Sequence, residues 1–245
     1  MSSVCKTTVI TVLLFSGAIL SSKAQFKTSQ YEVGVNAGTL VYQGDLAKSY
    51  LGNYRSLKPA LGLYVSKSLS PYFSVRANLA FGKIAANDSK YSTPAWWQLR
   101  SFNFSSPVTE LSGTLVFNPY GENSGRLAPY FFGGAGITFL NIKRDWSRYN
   151  QSVYDAKSEV GLGLAIDTLH SLPKILPVLP VGVGIRYALS PQLFLNAELL
   201  YRFTATDYLD GFKYAGNDKR RDNYYGLSLG ISYRFGGYKC PPVKN

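Results

Sequence analysis

The sequence predicts an all-β fold: an eight-stranded antiparallel up-and-down transmembrane β-barrel, with short periplasmic turns at one end and long extracellular loops at the other. Three observations predict it. Eight segments alternate apolar with polar or small residues at period 2, the signature of strands with two unlike faces. The connections between those segments alternate between short and long. Finally, 46% of the 245 residues are hydrophobic, 15% aromatic and only 16% charged, with 23 Gly and 12 Pro. That balance is too apolar for a disordered chain and too rich in helix breakers for a helical bundle.

The chain opens on a secretory signal peptide over residues 1–24. Lys6 supplies the positive region, Val9 to Leu20 the apolar core and Ser22-Lys23-Ala24 the small-residue cleavage site. The core is too short for a membrane helix, and the best later run, Leu172 to Ile185, is broken by Lys174, Pro173, Pro177 and Pro180. Cleavage removes Lys6 and Lys23, so the formal charge of +12 falls by two to +10. It also removes Cys5, which leaves Cys240 with no partner in its own chain. Residues 25–235 then form the barrel and residues 236–245 a periplasmic tail, extended at Pro241-Pro242.

The eight segments follow in order. Gln30 to Tyr42 sets Tyr31, Val33 and Val35 against Glu32, Gly34 and Asn36. Lys58 to Leu69 sets Leu61, Leu63 and Val65 against Gly62, Tyr64 and Ser66. Tyr72 to Ile84 sets Phe73, Val75, Leu79 and Phe81 against Ser74, Arg76 and Asn78. The fourth segment, Leu99 to Phe117, has apolar Phe102 and Phe104 early, then Leu111, Leu115 and Phe117 at the opposite parity. Pro107 between them lacks the ladder N–H and predicts a β-bulge. Pro129 to Ile142, Val181 to Leu189, Gln192 to Thr204 and Asn223 to Phe235 complete the set. Segments two and three meet through Ser70-Pro71, six and seven through Ser190-Pro191, and four and five through Asn118 to Ala128. The other four connections run to about 15, 14, 38 and 18 residues. In an up-and-down meander they all fall at one end.

The polar faces carry Glu32, Glu110 and Glu198 with Arg76, Arg186, Arg202 and Arg234. An eight-stranded barrel is filled by its own side chains, and buried charges must pair. These seven residues are therefore expected to form an ion-paired interior plug. The alternative is a soluble lipocalin-like barrel with the apolar face inside. Long apolar faces with Tyr31 and Tyr233 at strand ends, and repeated charges on the opposite face, favour lipid outside.

The last segment ends Ser228-Leu229-Gly230-Ile231-Ser232-Tyr233-Arg234-Phe235. Its Ser228, Gly230, Tyr233 and Phe235 resemble the C-terminal signal that hands outer-membrane barrels to the barrel-assembly machinery. Here ten residues follow it, whereas that signal ordinarily ends the protein.

Several stretches resemble the PorG-like family of small outer-membrane barrels of the Bacteroidota. Arg202-Phe203-Thr204-Ala205-Thr206-Asp207-Tyr208-Leu209-Asp210 is similar to that family's Arg–x–Thr–Phe–Thr–Asp–Tyr–Leu–Asp–Asp run, with Gly211 in place of the last Asp. Tyr42-Gln43-Gly44-Asp45-Leu46 is similar to its Tyr–x–Gly–Asp–Leu, Arg100 to Leu111 to its fourth strand, and Val181 to Tyr187 to its sixth. The resemblance spans nearly the whole mature chain. It implies an outer-membrane barrel associated with type IX protein secretion or gliding machinery, and it marks Asp45, Asp207, Tyr208 and Asp210 as motif residues.

The loops offer further candidates. Asp207, Asp210, Asp218 and Asp222 lie between segments seven and eight among four basic residues. Their spacing fits no calcium loop, so backbone capping at a turn is the expected use. Tyr91, Trp96 and Trp97 in one long loop, and Trp146, Tyr149 and Tyr154 in another, suit an upper aromatic girdle or a partner contact. Near Asp167 to Leu179 a short helix or strand is expected over the barrel mouth. His170, the one histidine, is the single candidate for acid–base catalysis, as in lipid-modifying barrels. It sits in a Leu/Pro-rich loop away from any strand. The expected function is therefore a non-enzymatic anchor or docking subunit of an export complex, without cofactor or metal. A stand-alone adhesion or membrane-integrity role is the alternative, and a lipid-modifying enzyme the third. Expected partners are outer-membrane lipid and lipopolysaccharide, the assembly machinery, and periplasmic secretion subunits. Nucleic acid is excluded by the compartment.

Overall fold

A computed structural model describes residues 30–49, 52, 54–93, 95–121, 125–216 and 221–235. The expected signal peptide and the expected tail with Cys240 lie outside the described residues. Eight long antiparallel strands form a closed barrel: β1 (Tyr31–Gln43), β2 (Lys58–Ser68), β3 (Phe73–Asn87), β4 (Asn103–Phe117), β5 (Leu127–Leu140), β7 (Ile175–Ala188), β8 (Leu193–Thr204) and β9 (Asn223–Phe235). Each pairs with its neighbours in the chain, and β1–β9 pairing closes the ring. A short strand, β6 (Lys143–Asp145), prolongs the sheet along the upper part of β4. Two helices, α1 (Trp96–Arg100) and α2 (Glu159–Leu169), belong to the long loops.

The short turns use one device twice. The Ser70 hydroxyl accepts the N–H groups of Tyr72 and Phe73, and the Ser190 hydroxyl accepts those of Gln192 and Leu193. Proline follows each serine, and its fixed φ favours the turn.

In every barrel pairing, even-numbered residues stand opposite even-numbered ones (Glu32↔Ser66, Arg76↔Thr114, Glu110↔Thr138, Arg186↔Asn196, Glu32↔Arg234). One parity therefore points inward around the whole ring. Outside stand Val35, Leu63, Val75, Leu111, Val183 and Leu229, all exposed. Outward aromatics recur eight positions apart on three strands, at Phe73 and Phe81, Phe131 and Phe139, and Tyr225 and Tyr233. At ~3.3 Å per residue this is about 26 Å of strand, or about 20 Å of height at a ~40° tilt. That is close to the band between the aromatic girdles of outer-membrane barrels. A closed ring with a continuous apolar exterior leaves no backbone edge for lipid to strand. The protein is an outer-membrane barrel.

Four sequence expectations need correction. The fourth strand does not begin at Leu99: residues 96–100 are helix α1, and β4 starts at Asn103. No bulge lies at Pro107, because the β3–β4 register runs unbroken from Phe73↔Phe117 to Asn87↔Asn103. Phe102 and Phe104 do not face out. Both are buried, Phe104 on the same inward parity as Glu110. The cause is a change of interior with height. The turn-side half is charged, whereas the loop-side half is an apolar core of Leu40, Tyr42, Ile84, Phe104, Leu209 and Phe212, among others. Likewise β7 starts at Ile175, six residues before the expected Val181, and accommodates Pro177 and Pro180. The β5–β7 ladder is interrupted between Gly133↔Val181 and Gly136↔Val178, the stretch that holds Pro180.

Candidate functional site

The barrel interior is built in layers. Nearest the short turns, Glu32 accepts from Arg186 Nη2 at 3.1 Å, Arg234 Nη2 at 3.1 Å and the Tyr64 hydroxyl at 3.0 Å. Above it, Glu198 accepts from Arg76 Nη1 at 2.6 Å, the Tyr130 hydroxyl at 2.6 Å and Asn36 Nδ2 at 3.1 Å. Higher again, Glu110 accepts from Arg202 Nε, from the Ser112 hydroxyl at 3.1 Å and from the Tyr224 hydroxyl at 3.3 Å. The structure thus brings together all seven charged residues singled out from sequence, each buried and each in an ion pair.

Several residues that complete this network had no signal of their own in the sequence. Tyr64 and Tyr224 fall on the inward parity, but nothing in their spacing names them as ligands of Glu32 and Glu110. Tyr130, Phe132 and Phe194 are aromatics among many. They surround the guanidinium groups: Arg76 lies 4.2 Å from the Tyr64 ring centroid and Arg234 4.5 Å from that of Phe194. Such faces offset part of the desolvation of a buried cation. The packing leaves a cavity of about 70 Å³ beside Tyr64, Glu110, Glu198 and Arg202, room for a few waters.

The loop between β8 and β9 closes the mouth. Leu209 and Phe212 are fully buried within the upper apolar core. Phe212 stacks on Phe102 at 4.4 Å, and Trp146 meets it edge-on. Tyr149 stacks on Phe102, and Tyr91 packs on Trp97. Most of the six long-loop aromatics singled out from sequence therefore build the plug and its supports rather than a girdle, with Trp96 the exposed one among the six.

Buried carboxylates hold this plug. Asp167 of α2 accepts the N–H groups of Tyr214 and Ala215 at 3.2 and 2.9 Å. Asp222 accepts those of Leu209 and Asp210 at 3.0 and 3.4 Å, and Asp210 accepts that of Phe212 at 2.8 Å. The motif residue Asp210 thus caps backbone as expected for a turn, although its side chain points into the barrel. Asp45 is also buried nearby, on the β1–β2 loop. Asp207 and Tyr208 lie at the surface of the plug, where Tyr208 stacks on His170 at 4.0 Å. Below α1, Asp88 is paired with Arg100 at 2.7 Å. Burial raises the Asp88 carboxyl, and the pair with Arg100 offsets part of that rise.

The tightest feature is a Tyr–Asp–Asp cluster. The Tyr42 oxygen lies 2.7 Å from Asp210 Oδ2 and 2.5 Å from Asp222 Oδ1. A phenol has one proton, so it donates to one carboxylate only. The other oxygen at that distance must bring a proton of its own. Burial accordingly pushes Asp222 up to about 7, and burial together with the charges of Asp222 and Asp45 pushes Asp210 up as well. Among the described residues no three His, Cys, Asp or Glu side chains converge to hold a metal.

A family model described as a domain of unknown function, DUF6089, matches residues 7–240. The chain belongs to the DUF6089 family. Comparison with curated proteins found no match. Solved structures similar to this DUF6089 barrel include the outer membrane protein OprG from Pseudomonas aeruginosa, with a TM-score of 0.49 and 11% identity over 86% of this chain and 98% of that one. Ail, the attachment invasion locus protein of Yersinia pestis, in complex with the heparin analogue sucrose octasulfate, gives 0.46 and 13% over 85% and 100%. Neisserial surface protein A gives 0.43 and 14% over 84% and 97%. In the DUF6089 chain, Ser228, Gly230, Tyr233 and Phe235 all lie on β9, with Tyr233 and Phe235 outward and in edge contact at 4.9 Å.

Proposed function

We propose that the protein is a non-enzymatic outer-membrane anchor, a PorG-like docking subunit of a type IX secretion-like export complex. The observation that carries this reading is the sealed interior. Three layers of ion pairs and an apolar mouth plug occupy the described lumen. A barrel closed in this way acts through its surfaces. The run from Arg202 to Asp210 supports the family assignment, since it supplies both the Glu110 partner and the plug carboxylate. In this reading residues 1–24 are removed on export, the four-residue signal on β9 recruits the assembly machinery, and residues 236–245 face periplasmic secretion subunits. Crosslinking and pull-down from native membranes tests it. Recovery of periplasmic secretion subunits is expected, and their absence refutes the docking role.

A second reading, a stand-alone role at the cell surface, is favoured by one feature. Exposed Tyr54, Arg55, Lys48 and Lys90 stand together on the outer loops, where the Arg55 and Lys90 side chains each donate to the other's backbone carbonyl. This basic and aromatic face suits lipopolysaccharide phosphates. A deletion strain with intact secretion but altered adhesion or envelope permeability would select it. For the enzymatic alternative, His170 would need a nucleophile. Its ring instead lies flat on Tyr208, and His170→Ala is expected to leave the lipid profile unchanged.

A further inference from the structure

Helix α2 buries one face and leaves an apolar stripe open on the other. Its inner face, Gly163, Leu164 and Asp167, is buried on the plug. A Cβ at Gly163 would come within 2.3 Å of the Tyr214 carbonyl oxygen, so the two backbones are in direct contact. The Arg144 guanidinium donates to the carbonyls of Asp167, Thr168 and His170 at 2.7, 3.2 and 3.4 Å, fixing the helix C-terminus. The outer face is therefore held in one direction. That face carries Leu162, Ile166 and Leu169, 54%, 51% and 89% exposed, at the i, i+4, i+7 spacing of a single stripe. The helix has no exposed charge after Glu159. Water is a poor partner for such a stripe, and a cover that removes its apolar area from water is favourable.

The position of α2 identifies the cover. Ile175, six residues after Leu169, pairs with Phe139 at the level of the upper aromatic girdle. His170, next to Leu169, stacks on Tyr208 four residues beyond the end of β8, whose Thr204 pairs with Val178. The helix C-terminus thus lies near the rim, where Ile175, Leu179 and Phe203 are exposed on the wall. Exposed Lys143 and Lys174 near it suit anionic headgroups.

We propose that α2 is an interfacial anchor, with Leu162, Ile166 and Leu169 seated in the outer-leaflet lipid at the barrel rim. The inference rests on the membrane-spanning reading of the barrel wall. The test uses the mature chain in a Cys240→Ser background with single cysteines Leu162→Cys, Ile166→Cys and Leu169→Cys. Lys157→Cys serves as a solvent control and Leu199→Cys as a mid-wall control. Each is labelled with an environment-sensitive fluorophore and refolded into phosphatidylcholine–phosphatidylglycerol vesicles, with folding checked by heat-dependent gel mobility. The three α2 positions are expected to be quenched by a nitroxide near the headgroup end of the lipid chain. They should also be at least about threefold less accessible to aqueous iodide than position 157. Iodide access equal to the control at all three positions overturns the anchor. So does protection that appears only in native outer membranes, because the cover would then be a protein. Failure of the Leu199 label to be quenched by a deep nitroxide would instead overturn the membrane-wall reading.

Discussion

Asp222→Asn is expected to abolish a pH dependence that the wild-type barrel carries in its plug. The Tyr42 hydroxyl contacts both Asp210 and Asp222, so the folded cluster holds a proton that neither aspartate would hold when exposed. Burial raises Asp222 from 3.8 to about 7. Because the folded value lies above the unfolded one, the folded state binds more protons between them. The associated stability is complete below about pH 4 and is lost as pH rises through about 7. Three pH units at ~1.4 kcal/mol each make this about 4 kcal/mol, shared with Asp210 because the two carboxyls titrate as a pair. The other charges around the pair are Asp45 and Asp207 from the loops, Arg100 from α1 and Arg202 below on β8, already engaged with Glu110. The carboxamide introduced by Asp222→Asn would offer its oxygen to the N–H groups of Leu209 and Asp210, as the carboxylate does now. Its NH₂ group would donate to Tyr42, which would donate to Asp210, so no extra proton is required. Thermal unfolding in micelles between about pH 5 and about pH 9, followed by circular dichroism, reads both effects. The wild-type midpoint should fall with rising pH and that of the variant should stay level. A level wild-type midpoint, or an equal fall in the variant, would refute the shared-proton argument.

Three other outcomes are expected. Arg202→Met leaves Glu110 buried with only neutral donors and should lower stability by roughly 3–5 kcal/mol, while Arg202→Met with Glu110→Gln recovers most of it in the same melt. Gly38→Val should prevent closure of the β1–β9 seam, since a Cβ there would lie 2.2 Å from the Leu227 carbonyl oxygen. Loss of heat-dependent gel mobility reads this directly. Tyr233→Ala with Phe235→Ala should reduce the outer-membrane fraction in cells yet refold normally in micelles. An equal defect in both settings would mean that these rings stabilise the strand rather than signal assembly.

The barrel was legible because lipid and lumen impose opposite chemistry on alternate residues. Where both conditions held, as along β3 from Phe73 to Phe81, each face could be read directly. Reading failed where one condition lapsed. Above the girdle the lumen turns apolar, so Phe102 and Phe104 imitate lipid-facing residues, and the phase reversal they create looks like a bulge at Pro107. The prolines of β7 failed for a different reason. Pro177 and Pro180 each remove one N–H, a cost that the intact pairings to β5 on either side of the interruption and a full ladder to β8 readily offset.

For the interior, sign and parity sufficed to choose the charged residues but not to say how they are satisfied. Glu32 draws on Arg186 and Arg234 from β7 and β9, and Glu198 on Arg76 from across the lumen. These partners are fixed by barrel closure and strand stagger, which no local pattern encodes. The plug cluster was harder still. Tyr42 reads as the end of a strand, Asp210 as a turn and Asp222 as one charge in a basic loop. Each local reading holds, since Asp210 and Asp222 do cap backbone N–H groups. What makes them a site is that the β8–β9 loop descends into the mouth and brings three oxygens together around too few protons. That property belongs to the packing of Leu209 and Phe212 beneath Phe102, so any variant that lifts those two side chains out of the core should also return both carboxyls toward ordinary acidity.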